Sequence, residues 1–210
     1  MIRKINVICL AFLLTIIGAV DAYASDNYDA VLPQSGSKVV LDVPLHKQDK
    51  NSNKCGPTCC RMTLEYFGVS KSLDTIVNEM KTYPDHDYTH IDSSRYMLND
   101  YISGNHYVKK TNLSSLSEFI RILRQSIDAG YPMHCLLETQ YLPAYTNAKF
   151  SHYVVATGYM WGQEGSTGGG DFVFYNDPHY NNTYYGRHSC SANDMYRAIV
   201  AHSACFLWGN

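Results

Sequence analysis

Apolar residues recur every three or four positions at 72–82 and 115–129. This spacing puts them on one face of an α-helix, so each stretch predicts a helix with one buried side. Pro57, followed by good helix-forming residues, predicts another helix, and a fourth is predicted at 93–103. Glycines directly after three of these four stretches mark the expected helix ends.

The pattern changes to short β-rich runs after Pro132. MHCLLET, HYVVATGYMW and DFVFYNDP are predicted strands, and GQEGSTGGG between the last two has the composition of a long hairpin loop. KVVLDVPL predicts a strand that leads into the first helix, while ANDMYRAIVAHS and ACFLW predict a final helix and strand. The helical first half and the sheet-rich second half predict an α+β domain whose two parts pack face to face.

Residues 1–24 have the pattern of a signal peptide. Two basic residues precede the apolar run VICLAFLLTIIGAV, and Ala22-Tyr23-Ala24 fits a small-x-small cleavage site. The apolar run is shorter than the roughly 20 residues that a membrane-spanning helix needs. We therefore expect cleavage before Ser25 and export to a periplasm or out of the cell.

Cleavage of these 24 residues would leave 186 of the 210, enough for one domain with a substantial core. We expect residues 25–37 to be a flexible lead-in and residues 38–210 to form that domain. The formal charge changes from −2 to about −3 on cleavage, which argues against nucleic acid or an anionic membrane as a partner. The sequence does not indicate an oligomeric state.

Six cysteines would remain in the mature chain, three of them in KCGPTCC at 54–60. Disulfide bonds are the default for cysteines in an exported protein. Cys55, however, lies at the predicted start of a helix, where partial positive charge and free N–H groups favour the nucleophilic thiolate. Cys59 and Cys60 lie one turn further along and are expected to be buried structural or disulfide residues. If Cys55 remains free, the other five cannot all pair with one another.

A cysteine nucleophile also needs a base, usually a histidine held by a third polar group. Among the nine histidines, His152 opens a predicted strand, and the next strand ends at Asp177. Antiparallel pairing of these strands would bring the two residues together, so that Asp177 could accept a hydrogen bond from the imidazole. His86 and His90 lie in a loop rather than a helix, so we expect neither a metal site nor a cofactor.

QDKNSNKCGPTCC, SHYVVATGY and FYNDP, taken in this order and at this spacing, resemble papain-like cysteine peptidases. The resemblance is to the bacteriocin-processing (double-glycine leader peptidase) type and its stand-alone exported relatives, and it covers most of the mature chain. It implies a papain-like fold, with the nucleophile helix packed on a mainly antiparallel sheet, and a peptide or protein substrate. It further implies Cys55 as nucleophile, His152 as general base and acid, Asp177 as the group that orients the imidazole, and Gln48 as an oxyanion-hole donor.

Some features depart from the family pattern. Lys54 stands where relatives often carry a small polar residue, and the double cysteine at 59–60 is unusual. The ATP-binding motif and membrane helices of the bacteriocin exporters are not found in this sequence, so the leader-peptide substrate is not carried over.

Two alternatives to a peptidase stay open at this point. The same acyl-enzyme chemistry would serve a transpeptidase, a glutamine deamidase or a dipeptidyl transferase. A secreted binding protein could instead keep the fold and tie Cys55 into a disulfide, with Cys190 or Cys205 as its partner.

Overall fold

The structure is a computed structural model that describes residues 38–50, 52–83, 88–104, 106–146, 148–162, 171–203 and 206–209. Its helices are α1 (Cys55–Tyr66), α2 (Leu73–Met80), α3 (Ile91–Tyr101), α4 (Leu116–Asp128) and α5 (Ala192–Ala201). Its strands are β1 (Lys38–Val40), β2 (Tyr107–Lys110), β3 (Met133–Glu138), β4 (Ser151–Met160), β5 (Phe172–Asp177), β6 (Gly186–Ser191) and β7 (Phe206–Gly209). The predicted signal peptide and lead-in, residues 163–170 of the glycine-rich loop, His86 and Cys205 lie outside the described residues. None of the described helices is long and apolar enough to cross a membrane.

Side chains cap the first turn of four helices. The hydroxyls of Ser72, Ser115 and Ser191 each accept a hydrogen bond from a backbone N–H three residues later, which satisfies one free donor of α2, α4 and α5. His90 does the same for α3 through the N–H of Asp92, so this helix begins two residues before its predicted start. The helices predicted from the sequence are confirmed with these small changes of boundary.

Helix α1 begins without a side-chain cap. Lys54 precedes it, and its side chain makes no hydrogen bond to the first turn. The helix already includes Cys55, two residues before the predicted start at Pro57, and it ends before Gly68, whose φ of 82° glycine adopts easily. The N–H groups at the start of α1 therefore remain available to groups beside Cys55.

The strands form one sheet in which every described pair is antiparallel. The order is β2-β7-β3-β4-β5-β6, and β1 pairs with the end of β4 that extends beyond β3. The four strands predicted after Pro132 are confirmed as β3, β4, β5 and β7, whereas KVVLDVPL forms only the three residues of β1. The sequence did not predict β2 and β6, which are the two edges of the sheet.

Helices cover both faces of this sheet. α1, α2 and α3 pack on one face with Tyr153 and Val155 of β4, while α4 and α5 pack on the other face with Val154 and Ala156. Alternate residues of β4 thus point into two separate hydrophobic cores. The α+β class is as predicted, but the domain has three layers, because α4 and α5 lie on the opposite side from the other helices.

The disulfide bonds that we expected are not seen among the described cysteines. Cys55, Cys59, Cys60, Cys135 and Cys190 are free thiols. Cys59 and Cys60 are buried in the core beside α1, and Cys135 and Cys190 in the core beside α4 and α5, so the sheet separates the two pairs. In the structure Cys55 is not tied to Cys190, one of the two partners that the binding-protein alternative required; the other, Cys205, is outside the described residues.

Candidate active site

Cys55 lies where the first turn of α1 meets the sheet. An ideal Cβ built on Gly56 would stand 3.4 Å from the ring of Tyr153 in β4, so the backbone of this turn is in contact with the strand. The half-buried thiol of Cys55 is thereby held beside the first residues of β4, which include His152.

His152 and Asp177 are joined by a buried hydrogen bond between neighbouring strands. β4 and β5 run antiparallel, so the first residues of β4 and the last residues of β5 lie at the same end of this strand pair. There the distance between His152 Nε2 and Asp177 Oδ1 is 2.9 Å, and both side chains are almost completely buried. The backbone N–H of His179 also donates to Asp177 Oδ1, at 2.8 Å.

These contacts change the acidity of both Cys55 and His152. Burial alone would raise the pKa of the Cys55 thiol, but the hydrogen bond and charge of His152, aided by the backbone N–H groups of Tyr153 and Gly56, bring that pKa below its usual value. For His152, burial acts to lower the pKa, but hydrogen bonds with Asp177 and Cys55 raise it to about 9. These opposite shifts favour transfer of the thiol proton to the imidazole, which gives a thiolate beside an imidazolium.

Gln48 reaches the same site from the loop before α1. Its backbone N–H donates to the carbonyl of Pro178, at 2.7 Å, which ties this loop to the end of β5. The side chain is buried, and its amide Nε2 donates to the carbonyl of Ser52 at 3.1 Å. An amide nitrogen carries two hydrogens, so a second donor remains on Nε2. No described residue donates a hydrogen bond to the amide oxygen.

A cleft of about 910 Å³ runs over these residues. Cys55, His152 and Gln48 line it, and His179 and Tyr180, which follow β5 after Pro178, form part of its wall. Sequence reasoning did not single out His179. Its only sequence signal is that it follows Asn176-Asp177-Pro178, which places it at the same end of β5 as Asp177.

Lys54 does not act on the thiol as a free cation. Its Nζ lies 2.6 Å from an oxygen of Asp49 and 3.1 Å from an oxygen of Asp74. These two carboxylates raise the pKa of Lys54 and offset its charge. The lowered pKa of Cys55 is therefore due to His152 and backbone donors, rather than to the unusual lysine before it.

The described residues contain no group of three or more histidine, cysteine, aspartate or glutamate side chains that could hold a metal ion. The arrangement present is a thiol with a histidine in contact with it, a carboxylate behind the histidine and an amide beside the cleft, which is chemically suited to covalent catalysis.

Comparison with known proteins agrees with this class of site. The model of the Peptidase_C39 like family matches residues 40–202, so the chain belongs to that family, which is one of cysteine peptidases. No match to a curated protein was found.

Two solved structures are similar to this chain. One is a Bacillus anthracis protein assigned as a C39-like peptidase, with 19% identity, a TM-score of 0.57, and coverage of 83% of this chain and 98% of that one. The other is a double-glycine-motif protease from an AMS/PCAT transporter in complex with the leader peptide, with 15% identity, a TM-score of 0.47, and coverage of 84% and 100%. The first likeness confirms the predicted papain-like fold.

Proposed function

We propose that this protein is an exported thiol peptidase that hydrolyses peptide bonds through Cys55, His152, Asp177 and Gln48. The observation that carries the proposal is the 2.9 Å hydrogen bond between His152 and Asp177, in a cleft where the same imidazole lowers the pKa of Cys55. Membership of a family of cysteine peptidases supports a peptide substrate.

In the first half of the reaction, the Cys55 thiolate attacks the carbonyl carbon of the peptide bond. The carbonyl oxygen becomes negatively charged in the tetrahedral intermediate. The imidazolium of His152 then gives its proton to the nitrogen of the leaving amine, the C–N bond breaks, and a thioester with Cys55 remains. Asp177 holds the imidazole ring and stabilises its positive charge.

In the second half, neutral His152 takes a proton from water, and the resulting hydroxide attacks the thioester carbon. The C–S bond breaks, the carboxylic acid leaves, and the thiolate beside the imidazolium is restored. Gln48 Nε2 and the backbone N–H of Cys55 donate to the oxyanion in both halves. The backbone of Cys55 is fixed by α1, and the backbone of Gln48 by its link to Pro178, before substrate binds.

The test is hydrolysis of a mixed peptide library, followed by mass spectrometry. Wild-type protein should release products in which water has been added, and Cys55→Ala should lose this activity by at least about 1,000-fold. Cys190→Ala is the matched control, because this buried thiol lies in the opposite core and should not affect turnover. Undiminished hydrolysis by Cys55→Ala would refute the proposal, and transfer of the acyl group to an added amine instead of water would favour a transferase.

Export is the second part of the proposal, and it rests on the signal-peptide pattern of residues 1–24. The protein purified from the outside of its host cell, or from the periplasm, should begin at Ser25. N-terminal sequencing measures this directly, and an intact Met1 on the cytoplasmic protein would contradict it.

A further inference from the structure

Tyr145 contacts the carboxylate oxygen that His152 leaves free. Its hydroxyl donates to Asp177 Oδ2 at 2.6 Å, whereas His152 and the N–H of His179 both donate to Oδ1. Asp177 is completely buried and Tyr145 is only 1% exposed, so this contact is shielded from bulk water. Tyr145 lies in the loop between β3 and β4, and no motif in the sequence connects it with the site.

The loop holds Tyr145 in place through contacts of its own. Thr139 and Phe150 pair at the base of the loop, where the backbone N–H of Thr139 donates to the carbonyl of Phe150 at 3.1 Å. The Tyr145 ring stacks on Tyr184, with 4.4 Å between the ring centroids and an angle of 17°. The ring is therefore fixed before a substrate arrives.

Tyr145 also remains a donor at every pH at which such an enzyme would work. Burial, followed by the charge of Asp177, raises the pKa of its phenol far above the usual value. A buried carboxylate oxygen without a donor is costly, so loss of this hydroxyl would leave the Asp177 side chain free to rotate. A rotated carboxylate would stabilise the imidazolium less well.

The geometry points to Tyr145 as a positioning residue that fixes Asp177 and, through it, the imidazolium of His152. This inference rests on the proposed function, because it gives Asp177 and His152 the roles stated there. The inference concerns the charges of Cys55 and His152, so the reactivity of the Cys55 thiol can test it without a known substrate.

Among the described residues, five titratable groups interact with Asp177 and could contribute to a pH profile, and Cys55 is linked to it through His152. The five come from α1, β4, β5 and the two adjoining loops: Cys59, His152, Tyr175, Tyr145 and His179. The experiment must therefore remove only the hydroxyl of Tyr145.

The test is the rate of Cys55 alkylation by iodoacetamide, measured from pH 4 to pH 10 in wild type and Tyr145→Phe. As the pH is lowered, the alkylation rate should fall to half of its neutral-pH value at a pH about one unit higher in the variant than in wild type. The reason is that a less stabilised imidazolium lets the Cys55 thiolate take up a proton at a higher pH. In an Asp177→Asn background, Tyr145→Phe should add no further shift. With a peptide substrate, kcat should fall while KM stays unchanged.

Tyr159→Phe is the matched control. This buried hydroxyl also donates to a carboxylate, that of Asp128, and it has no contact with Asp177. The control should lower thermal stability without moving the alkylation profile. If both tyrosine variants left the profile unchanged while wild-type Cys55 was reactive at pH 6, the inference alone would be overturned. If wild-type Cys55 were unreactive at pH 6, the proposed function would fail, and the inference with it.

Proton NMR of the wild-type protein gives a second test should Tyr145→Phe not fold. The Tyr145 hydroxyl proton and the His152 Nε2 proton bind the same buried carboxylate, so both should exchange slowly with water and should shift together as pH is lowered. A hydroxyl proton that exchanges rapidly, or that shifts at a different pH, would overturn the inference.

Discussion

The ion pair between Cys55 and His152 makes the sharpest prediction for this protein. At pH 6 an ordinary thiol with a pKa of about 8.5 is only about 0.3% thiolate. The imidazolium of His152 stabilises the Cys55 thiolate and lowers the pKa of the thiol, so a larger fraction of Cys55 should be ionised at this pH. In His152→Ala that stabilisation is lost while burial remains, so the thiolate fraction should fall to about 0.3% or less.

The expected difference in reaction rate is smaller than the difference in thiolate fraction. Ionisation would differ by at most roughly 300-fold at pH 6, the limit at which wild-type Cys55 is fully thiolate, but a thiolate of lower pKa is intrinsically less nucleophilic, with a Brønsted slope of about 0.4–0.5. Wild type should therefore react with iodoacetamide faster than His152→Ala at pH 6, by up to roughly 20-fold. A second rise in rate should occur near pH 9, where the imidazolium loses its proton, and this rise should be absent in the variant.

The assay is alkylation of the mature, unreduced protein, with the rate of modification at Cys55 determined by peptide mapping and mass spectrometry. His202→Ala is the matched control, since His202 lines the same cleft and is not among the groups that shift the pKa of Cys55. Its profile should match wild type. Superimposable profiles for wild type and His152→Ala would refute the ion pair. An unreactive Cys55 in the wild-type protein would instead favour the binding-protein alternative.

Three further predictions follow from the described contacts. Gln48→Ala should lower kcat about 100-fold or more, with little change in KM, if Nε2 is an oxyanion donor; an unchanged kcat in steady-state assays would contradict that role. Burial raises the pKa of four thiols, so in native protein they should resist iodoacetamide and react only after denaturation, as peptide mapping would show: Cys59, Cys60, Cys135 and Cys190. Burial lowers the pKa of His134 to about 3 in the folded protein. As the pH falls below about 6.5, His134 is therefore protonated in the unfolded chain but not in the folded one. The free energy of unfolding should then fall by about 1.4 kcal/mol per pH unit. Urea titrations at pH 7 and pH 4.5 should show a shallower loss for His134→Gln, which can still bond Thr63, than for wild type or the control His202→Gln.

The sequence predicts the interior of the fold better than its edges. β4, β5 and β7 are rich in β-branched and aromatic residues, and β3 is mainly apolar, so the pattern of these strands is clear. The two edge strands are more polar: β2 has only two apolar residues before its two lysines, and β6 is mainly polar. Polar and charged residues on an edge discourage pairing with other chains, and the same residues hide the strand from pattern-based prediction.

The same distinction applies to the site. His152 and Asp177 stand next to strongly patterned strands, so antiparallel pairing of those strands is enough to predict that they lie close together. Tyr145 approaches Asp177 from a loop without periodicity, 32 residues away along the chain. Only the tertiary structure brings it there. The side of the sheet on which α4 packs was likewise not evident, because apolar spacing identifies the buried face of a helix but not the surface that it covers.

The net charge of the candidate site explains why it needs the loops that carry Tyr145 and His179. Thiolate, imidazolium and carboxylate together carry one net negative charge in a largely buried place, and a buried charge is costly unless donors surround it. Lys54 does not supply the compensation, because two carboxylates already bind it. The neutral donors are instead the N–H groups of Gly56 and Tyr153 at the thiolate, and the N–H of His179 and the hydroxyl of Tyr145 at Asp177. A helix start can favour a thiolate, but only the assembled domain can surround both anions with donors, so the activated form of Cys55 should depend on the folded loops and not on α1 alone.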